Sequence, residues 1–186
     1  MKPHLAVLLL FCPAAAQAGT APGAAFSAGF AHPFLSPDHW LAMLAIGWLA
    51  SRLPWLPPTG FVVTSLLGGL LAFRWPGLLS MEWGIALSVF TLGLALLSGA
   101  RMSGHRLVWA GCGLALFGLA HGYAHVIEGY HGEGDFFAGF MLATALLHLA
   151  GYRLAVTLAR RLAWTQNALS AGMALYGLNL LPGIAA

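Results

Sequence analysis

Six long apolar stretches follow one another along the chain after residue 35, separated by short stretches rich in proline, glycine and charge. Their interiors are dominated by Leu, Ala, Gly and Phe, without the alternation of apolar and polar residues that marks a barrel strand. A backbone that crosses lipid must satisfy its own hydrogen bonds, and a helix does so within one segment. The pattern predicts six transmembrane helices, over 36–53, 58–74, 81–100, 105–128, 134–160 and 163–182.

The composition agrees with a membrane location. Of the 186 residues, 60% are apolar and 7% are charged, and the mean hydropathy is +0.82. So few charged side chains do not coat a soluble globule, but they suffice for the loops of a bundle whose outer face contacts lipid. The predicted fold class is therefore all-α, a polytopic transmembrane helical bundle. No basic run and no glycine-rich phosphate loop is present, so we expect neither nucleic acid nor nucleotide as a partner.

The first eighteen residues have the three parts of a secretory signal peptide. Lys2 supplies a basic start, the apolar run 5–12 is too short to span a bilayer, and a small-x-small cleavage site ends at Ala18. We expect cleavage after Ala18. This divides the chain into a signal peptide, 1–18, and a single six-helix transmembrane domain, 19–186.

The distribution of charge predicts the orientation of the bundle. Signal cleavage leaves the new N-terminus outside, and six spans alternate from there. This scheme puts every arginine except Arg74 on or near the cytoplasmic side and all five acidic residues at the outer side, in agreement with the positive-inside rule. We therefore predict a multi-pass protein of the bacterial inner membrane, with a periplasmic N-terminus and an outer mouth that attracts cations.

The first segment with distinctive chemistry opens the first predicted helix. Ser36 is the predicted N-cap and Pro37 the first helical residue, which places Asp38 and His39 in the first turn at the outer membrane face, with His32 held just before the helix. Singly, such residues are helix-capping carboxylates or interfacial imidazoles. Together, three nitrogen and oxygen donors within eight residues match what a borderline divalent cation prefers. We predict that they bind a divalent transition metal.

A second set lies in the outer half of the fourth predicted helix and consists of His121, His125 and Glu128. At about 100° per residue, the three side chains fall within about 60° of one another and form a row about 10 Å long. Ionisable groups are costly against lipid, so these should face the bundle interior, where such groups are usually functional. A hydrogen-bonded packing network is the alternative. The spacing favours a second set of metal ligands.

The remaining histidines are less distinctive. His148 follows Thr144 by one turn in the fifth predicted helix, about 20 Å from the outer end of that helix. It is either the next metal ligand inward or an imidazole bonded to a neighbouring helix. His131 lies in an outer loop with Glu133 and Asp135, where we expect it to be solvated.

These segments resemble the HupE/UreJ family, membrane proteins associated with nickel hydrogenase and urease operons and regarded as nickel or cobalt permeases. The resemblance covers most of the chain. It rests on His32-Pro33, on Asp38-His39 with Leu41-Ala42-Met43, on His121-Gly122, Ala124-His125 and Glu128, and on Ala143-Thr144-Ala145-Leu146-Leu147-His148. Where the family usually has glycine, this chain has Ser36 before the aspartate and Val126 after the second histidine of the helix-four motif. Every candidate ligand is retained.

The resemblance implies Ni²⁺ as the transported substrate, whereas the donor types alone leave Co²⁺ and Zn²⁺ open. It also implies hydrogenase or urease maturation proteins as partners. The candidate metal ligands are His32, Asp38, His39, His121, His125, Glu128 and His148. We predict a permease, not an enzyme, in which the first three capture the metal from the periplasm, the next three receive it within the bundle and the last passes it inward.

Two other functions remain open. A zinc-dependent intramembrane hydrolase would use the same histidines, with Asp38 or Glu128 as base, and would need a cleft that is accessible from the lipid. A metal-delivery protein would bind the metal without moving it across the membrane.

Overall fold

The computed structural model of the chain describes residues 23–53, 56–77, 81–97, 104–127, 134–158 and 163–185. Within these ranges the only regular elements are seven helices. They are α1 (Ala24–Leu35), α2 (Pro37–Ala50), α3 (Leu56–Arg74), α4 (Met81–Leu97), α5 (His105–Ile127), α6 (Gly134–Leu158) and α7 (Ala163–Ala185). The all-α class is confirmed. The predicted signal peptide, 1–18, lies outside the described residues.

Helices α2 to α7 coincide with the six predicted segments, and every described bound lies within three residues of the prediction. By length and hydropathy, Leu107–Ile127 and Asp135–Thr157 qualify as membrane spans, and Met81–Leu97 is a shorter apolar helix. The chain is thus a helical bundle with membrane-length apolar helices. The topology of six spans stays a prediction.

Helix α1 was not predicted, although His32 precedes the first predicted helix, α2, as expected. His32 lies inside α1, next to Pro33. A proline in a helix lacks the amide hydrogen and crowds the carbonyl four residues earlier, so Pro33 locally disfavours a helix here. Packing stabilises α1 instead, because side chains at Gly29 and Gly139 would overlap carbonyl oxygens across the contact between α1 and α6.

The junction between α1 and α2 is a single residue. Ser36 has an extended backbone (φ −120°, ψ 120°) and takes the N-cap position, and Pro37 is the first residue of α2, both as predicted. The Ser36 side chain makes no capping hydrogen bond. The backbone of Ser36 caps instead, since its carbonyl accepts a hydrogen bond from the amide of His39 at 3.1 Å. This turn fixes the position of His39 relative to His32.

Close helix contacts at glycines position the interior side chains. A side chain at Gly122 would overlap the carbonyl oxygen of Ser65, which brings α5 against α3, and one at Gly47 would overlap the carbonyl oxygen of His148, which brings α2 against α6. Such contacts let helix backbones approach closely, as is common between helices in membranes. Helix α2 becomes the centre of the bundle, with Ile46 fully buried.

Candidate metal centre

Four imidazoles from three helices meet in the interior and form what we call the histidine cluster: His32 of α1, His39 of α2, and His121 and His125 of α5. The ring centroids are 4.7 Å apart for His32 and His125, and 4.6 Å apart for His39 and His121. Both histidines of α5 are buried, with 1% and 3% of their surface exposed. The structure thus brings the two segments singled out in the sequence into direct contact.

Three of these rings are arranged for a shared cation. His32, His39 and His125 each place one ring nitrogen so that the three atoms lie within 4.8 Å of one another. Nitrogens that bind one metal ion at about 2.1 Å lie about 3.0 to 4.2 Å apart. Small side-chain rotations therefore suffice to bring all three onto one ion.

The two histidines of α5 form a second close pair. Their Nε2 atoms are 3.0 Å apart, a distance that suits either a hydrogen bond or two ligands at right angles on one metal ion at about 2.1 Å. The Nδ1 atom of His121 is buried and has no hydrogen-bond partner. The spacing of four residues on one helix face, read from the sequence, accounts for this contact.

Asp38, one of the predicted ligands, contacts the cluster through His39. Its Oδ2 accepts a hydrogen bond from Nδ1 of His39, at 2.9 Å. A carboxylate on one ring nitrogen fixes the tautomer and raises the basicity of the other nitrogen, an arrangement typical of metal-binding histidines. Asp38 therefore leaves Nε2 of His39 available to a cation and orients the ring. Spacing along the chain does not reveal this indirect role.

Burial favours the neutral form of the imidazole that α1 contributes. Desolvation, with the neighbouring His39 ring adding to it and Asp38 opposing it, lowers the pKa of His32 to about 4. A neutral imidazole has a free lone pair for a metal, whereas a protonated one has none. His32 is consequently a competent nitrogen donor at neutral pH.

Aromatic side chains enclose the cluster. Phe140 contacts His125 at 4.6 Å between ring centroids, Phe117 stacks on His121 at 5.1 Å, and Phe136 contacts His32 at 5.8 Å. These rings exclude water and lower the local dielectric constant, which strengthens electrostatic interactions with a bound cation. The sequence contained a sign of them, since Phe136 and Phe140 lie four residues apart on one face of α6.

A lateral apolar cavity of about 600 Å³ reaches the cluster between α3, α5 and α6. His121 and His125 line its inner end, and apolar side chains such as Leu66 and Leu70 line the rest. Both leucines are more than 60% exposed on the surface of the bundle. The cluster is therefore approached from the side of the bundle by a space that suits hydrocarbon.

His148 lies outside the cluster, on α6. Its ring centroid is 5.5 Å from that of Phe61, and the ring of Phe61 is in turn 5.6 Å from that of His121. One aromatic ring, that of Phe61, thus contacts both His148 and the cluster. Of the other candidates, Asp135 is exposed at the start of α6, and Glu128, His131 and Glu133 lie outside the described residues.

The fold and the site together define a class: a bundle of apolar, membrane-length helices that buries a cluster of histidines between them. The family model described as HupE / UreJ protein matches residues 5–180. The chain is also 36% identical over 134 residues to Protein HupE of Rhizobium leguminosarum bv. viciae, with 69% of each chain covered. The chain belongs to the HupE / UreJ family, which confirms the resemblance seen in its motifs. No solved structure matches it.

Proposed function

We propose that this protein is a permease of the bacterial inner membrane that takes a divalent transition metal, Ni²⁺ first among them, from the periplasm and passes it through the bundle. The observation that carries the proposal is the convergence of four imidazoles from three helices, with ring centroids 4.4 to 6.1 Å apart for the pairs that involve α5. Nitrogen donors of this kind suit Ni²⁺, Co²⁺ and Zn²⁺. Membership of the HupE / UreJ family favours Ni²⁺ or Co²⁺.

Capture begins at the junction of α1 and α2. His32 and His39 bind the arriving ion, with Asp38 as orienting group and as a negative charge that attracts cations. His121 and His125 complete the coordination, and Glu128, three residues after His125 in the sequence, is a further predicted ligand. His148 then receives the ion on its way to the cytoplasm, where hydrogenase or urease maturation proteins would use it.

Uptake of radioactive nickel into liposomes that contain the pure protein tests this proposal. We expect His39→Ala and His125→Ala to abolish uptake, since each removes a ligand from the cluster. His105→Ala is the matched control, because His105 is exposed at the start of α5, about 24 Å along the helix from His121. Undiminished uptake by both cluster variants would refute the assignment. Competition by cobalt and zinc ranks the metals.

A second function is favoured by one observation, the lateral cavity of about 600 Å³ that ends at His121 and His125. An intramembrane hydrolase would admit an acyl chain there and use a metal-bound water on a lipid amide or ester. Metal-dependent release of fatty acid by the pure protein, without nickel uptake into liposomes, would favour the hydrolase. Liposomes that bind nickel but do not accumulate it, without hydrolysis, would favour a metal-delivery protein.

A further inference from the structure

Two polar side-chain atoms on α6 are buried without a partner, inward of the histidine cluster. The hydroxyl of Thr144 and Nε2 of His148 have no hydrogen-bond partner, and Thr144 is 2% exposed. They are four residues apart on one helix face, where Cβ atoms lie about 5 to 6 Å apart. Buried polar atoms that stay unsatisfied are rare and call for an explanation, such as a bound ion or water.

The hydroxyl of Thr144, like that of Ser65, differs from three other hydroxyls of the bundle. Those of Thr64, Thr157 and Ser170 each donate to the carbonyl four residues earlier in their own helix, all at 2.7 Å. This is the usual way in which a helical hydroxyl is satisfied away from water. Thr144 makes no such bond, so its hydroxyl is available to a ligand.

One face of α2 runs from the histidine cluster to this pair. His39, Met43 and Gly47 follow at intervals of four residues, about 6 Å apart along the helix. His39 contacts His121, Gly47 abuts the backbone of His148, and Met43 between them is completely buried. Thr144 and His148 thus lie one to two helical turns inward of the cluster, and the buried thioether of Met43, a polarisable group, lies on the face of α2 that joins the two places.

Phe61 of α3 contacts both places. The residue is 1% exposed, and its ring contacts His121 and, at a right angle (87°), His148, and stacks on Phe117 at 5.5 Å. Phe61 is thus the aromatic ring that the two imidazoles share.

We propose that Thr144 and His148 form an inner binding site for the same divalent cation, and that the ring of Phe61 is the partition between this site and the histidine cluster. The inference rests on the proposed function, since the cluster supplies the ion. One imidazole and a neutral hydroxyl bind more weakly than four imidazoles supported by a carboxylate. A weak inner site suits release, because transport needs an ion to bind well enough to enter and loosely enough to leave.

Calorimetric titration of the full-length protein in detergent with Ni²⁺ tests the inner site. We expect two classes of Ni²⁺ site in the wild type. Thr144→Val should lower the affinity of the weaker class about tenfold or more, and His148→Ala should abolish that class. Neither substitution should change the affinity of the tighter class. Thr157→Val is the matched control, because its hydroxyl lies on the same helix but is exposed and bonded to Arg153. A single class in the wild type, or a weaker class that survives both substitutions, would overturn the inner site.

Initial rates of nickel uptake into liposomes test the partition. Phe61→Leu should retain both classes of site and raise the rate of uptake several-fold, because the barrier between the sites is smaller. Phe117→Leu, which alters the neighbouring ring, is the control and should leave the rate unchanged. An unchanged rate in Phe61→Leu would refute the role of Phe61. If the wild type binds two equivalents but moves none, the permease proposal fails and the inner site stands. If His39→Ala leaves both classes intact, the histidine cluster is not the supply.

Discussion

Two regions of the bundle share close helix packing at glycines but differ in whether their buried polar groups have hydrogen-bond partners. In the pair formed by α4 and α7, side chains at Gly93 and Gly177 would collide with the backbone of the facing helix, just as one at Gly122 would between α5 and α3. Yet the buried hydroxyls of the pair, Ser88 and Ser170, each donate to a carbonyl of their own helix. The pair of α4 and α7 is therefore a scaffold in which both of these buried hydroxyls have a hydrogen-bond partner.

The region that holds the site leaves polar atoms unsatisfied instead. Nδ1 of His121, the hydroxyl of Thr144 and Nε2 of His148 are buried without a hydrogen-bond partner. Close packing at glycines therefore does not by itself distinguish a site. The distinction lies in polar groups that the helices bury but do not satisfy, because such groups cost stability unless a ligand binds them.

The largest expected effect comes from removing a ligand of the cluster. His125→Ala should weaken nickel binding about 100-fold or more, since a lost ligand exceeds the effect of a lost supporting group. Ser170→Ala removes a buried polar group from the scaffold pair and should leave nickel affinity unchanged. Calorimetry on both variants provides the measurement. Equal losses of nickel affinity in His125→Ala and Ser170→Ala would show that the two regions do not differ in this respect.

Filling a glycine contact should cost stability in both regions but affinity in only one. Gly122→Val and Gly93→Val each force a side chain against a facing backbone, which should destabilise the bundle by about 1 to 3 kcal/mol. Only Gly122→Val displaces α5 with its two histidines, so only this variant should bind nickel more weakly. Thermal unfolding in detergent and a nickel titration measure the two effects. Weaker binding by Gly93→Val would show that the regions are coupled.

A smaller effect is expected from the orienting carboxylate. Asp38→Asn keeps an oxygen that can accept a hydrogen bond from His39 but removes the charge, so nickel affinity should fall about tenfold. Glu82→Gln, which neutralises an exposed carboxylate in the first turn of α4, is the control and should bind as the wild type does. A loss as large as that of His125→Ala would mean that Asp38 is itself a ligand.

The smallest expected effect concerns the bond that joins α5 to the end of α3. The hydroxyl of Tyr123, between the two histidines of α5, donates to the carbonyl of Trp75 at 2.7 Å. Tyr123→Phe should lower the free energy of unfolding by about 0.5 to 1.5 kcal/mol and leave nickel binding nearly unchanged. Tyr152→Phe, at an exposed position on α6, should change neither. A marked loss of nickel affinity in Tyr123→Phe would place its hydroxyl in the site.

Much of the fold could be predicted because local pattern suffices for a long apolar helix. The lengths of the apolar stretches set α2 to α7, and the spacing of His121 and His125 put them on one helix face. Helix α1 could not be predicted, since Pro33 opposes a helix locally and only contacts with α6 outweigh it. The motifs pointed to the right family, and thereby to residues that belong together.

The sequence by itself determined the class of fold, the approximate bounds of α2 to α7 and the donor types, because these depend on residues that are neighbours along the chain. Only the tertiary structure decided that α1 adds His32 to the cluster beside His125, and that Phe61 contacts both His121 and His148. These relations join helices remote in sequence. They depend on how closely the backbones approach at glycines such as Gly47, and no periodicity within one helix encodes that distance.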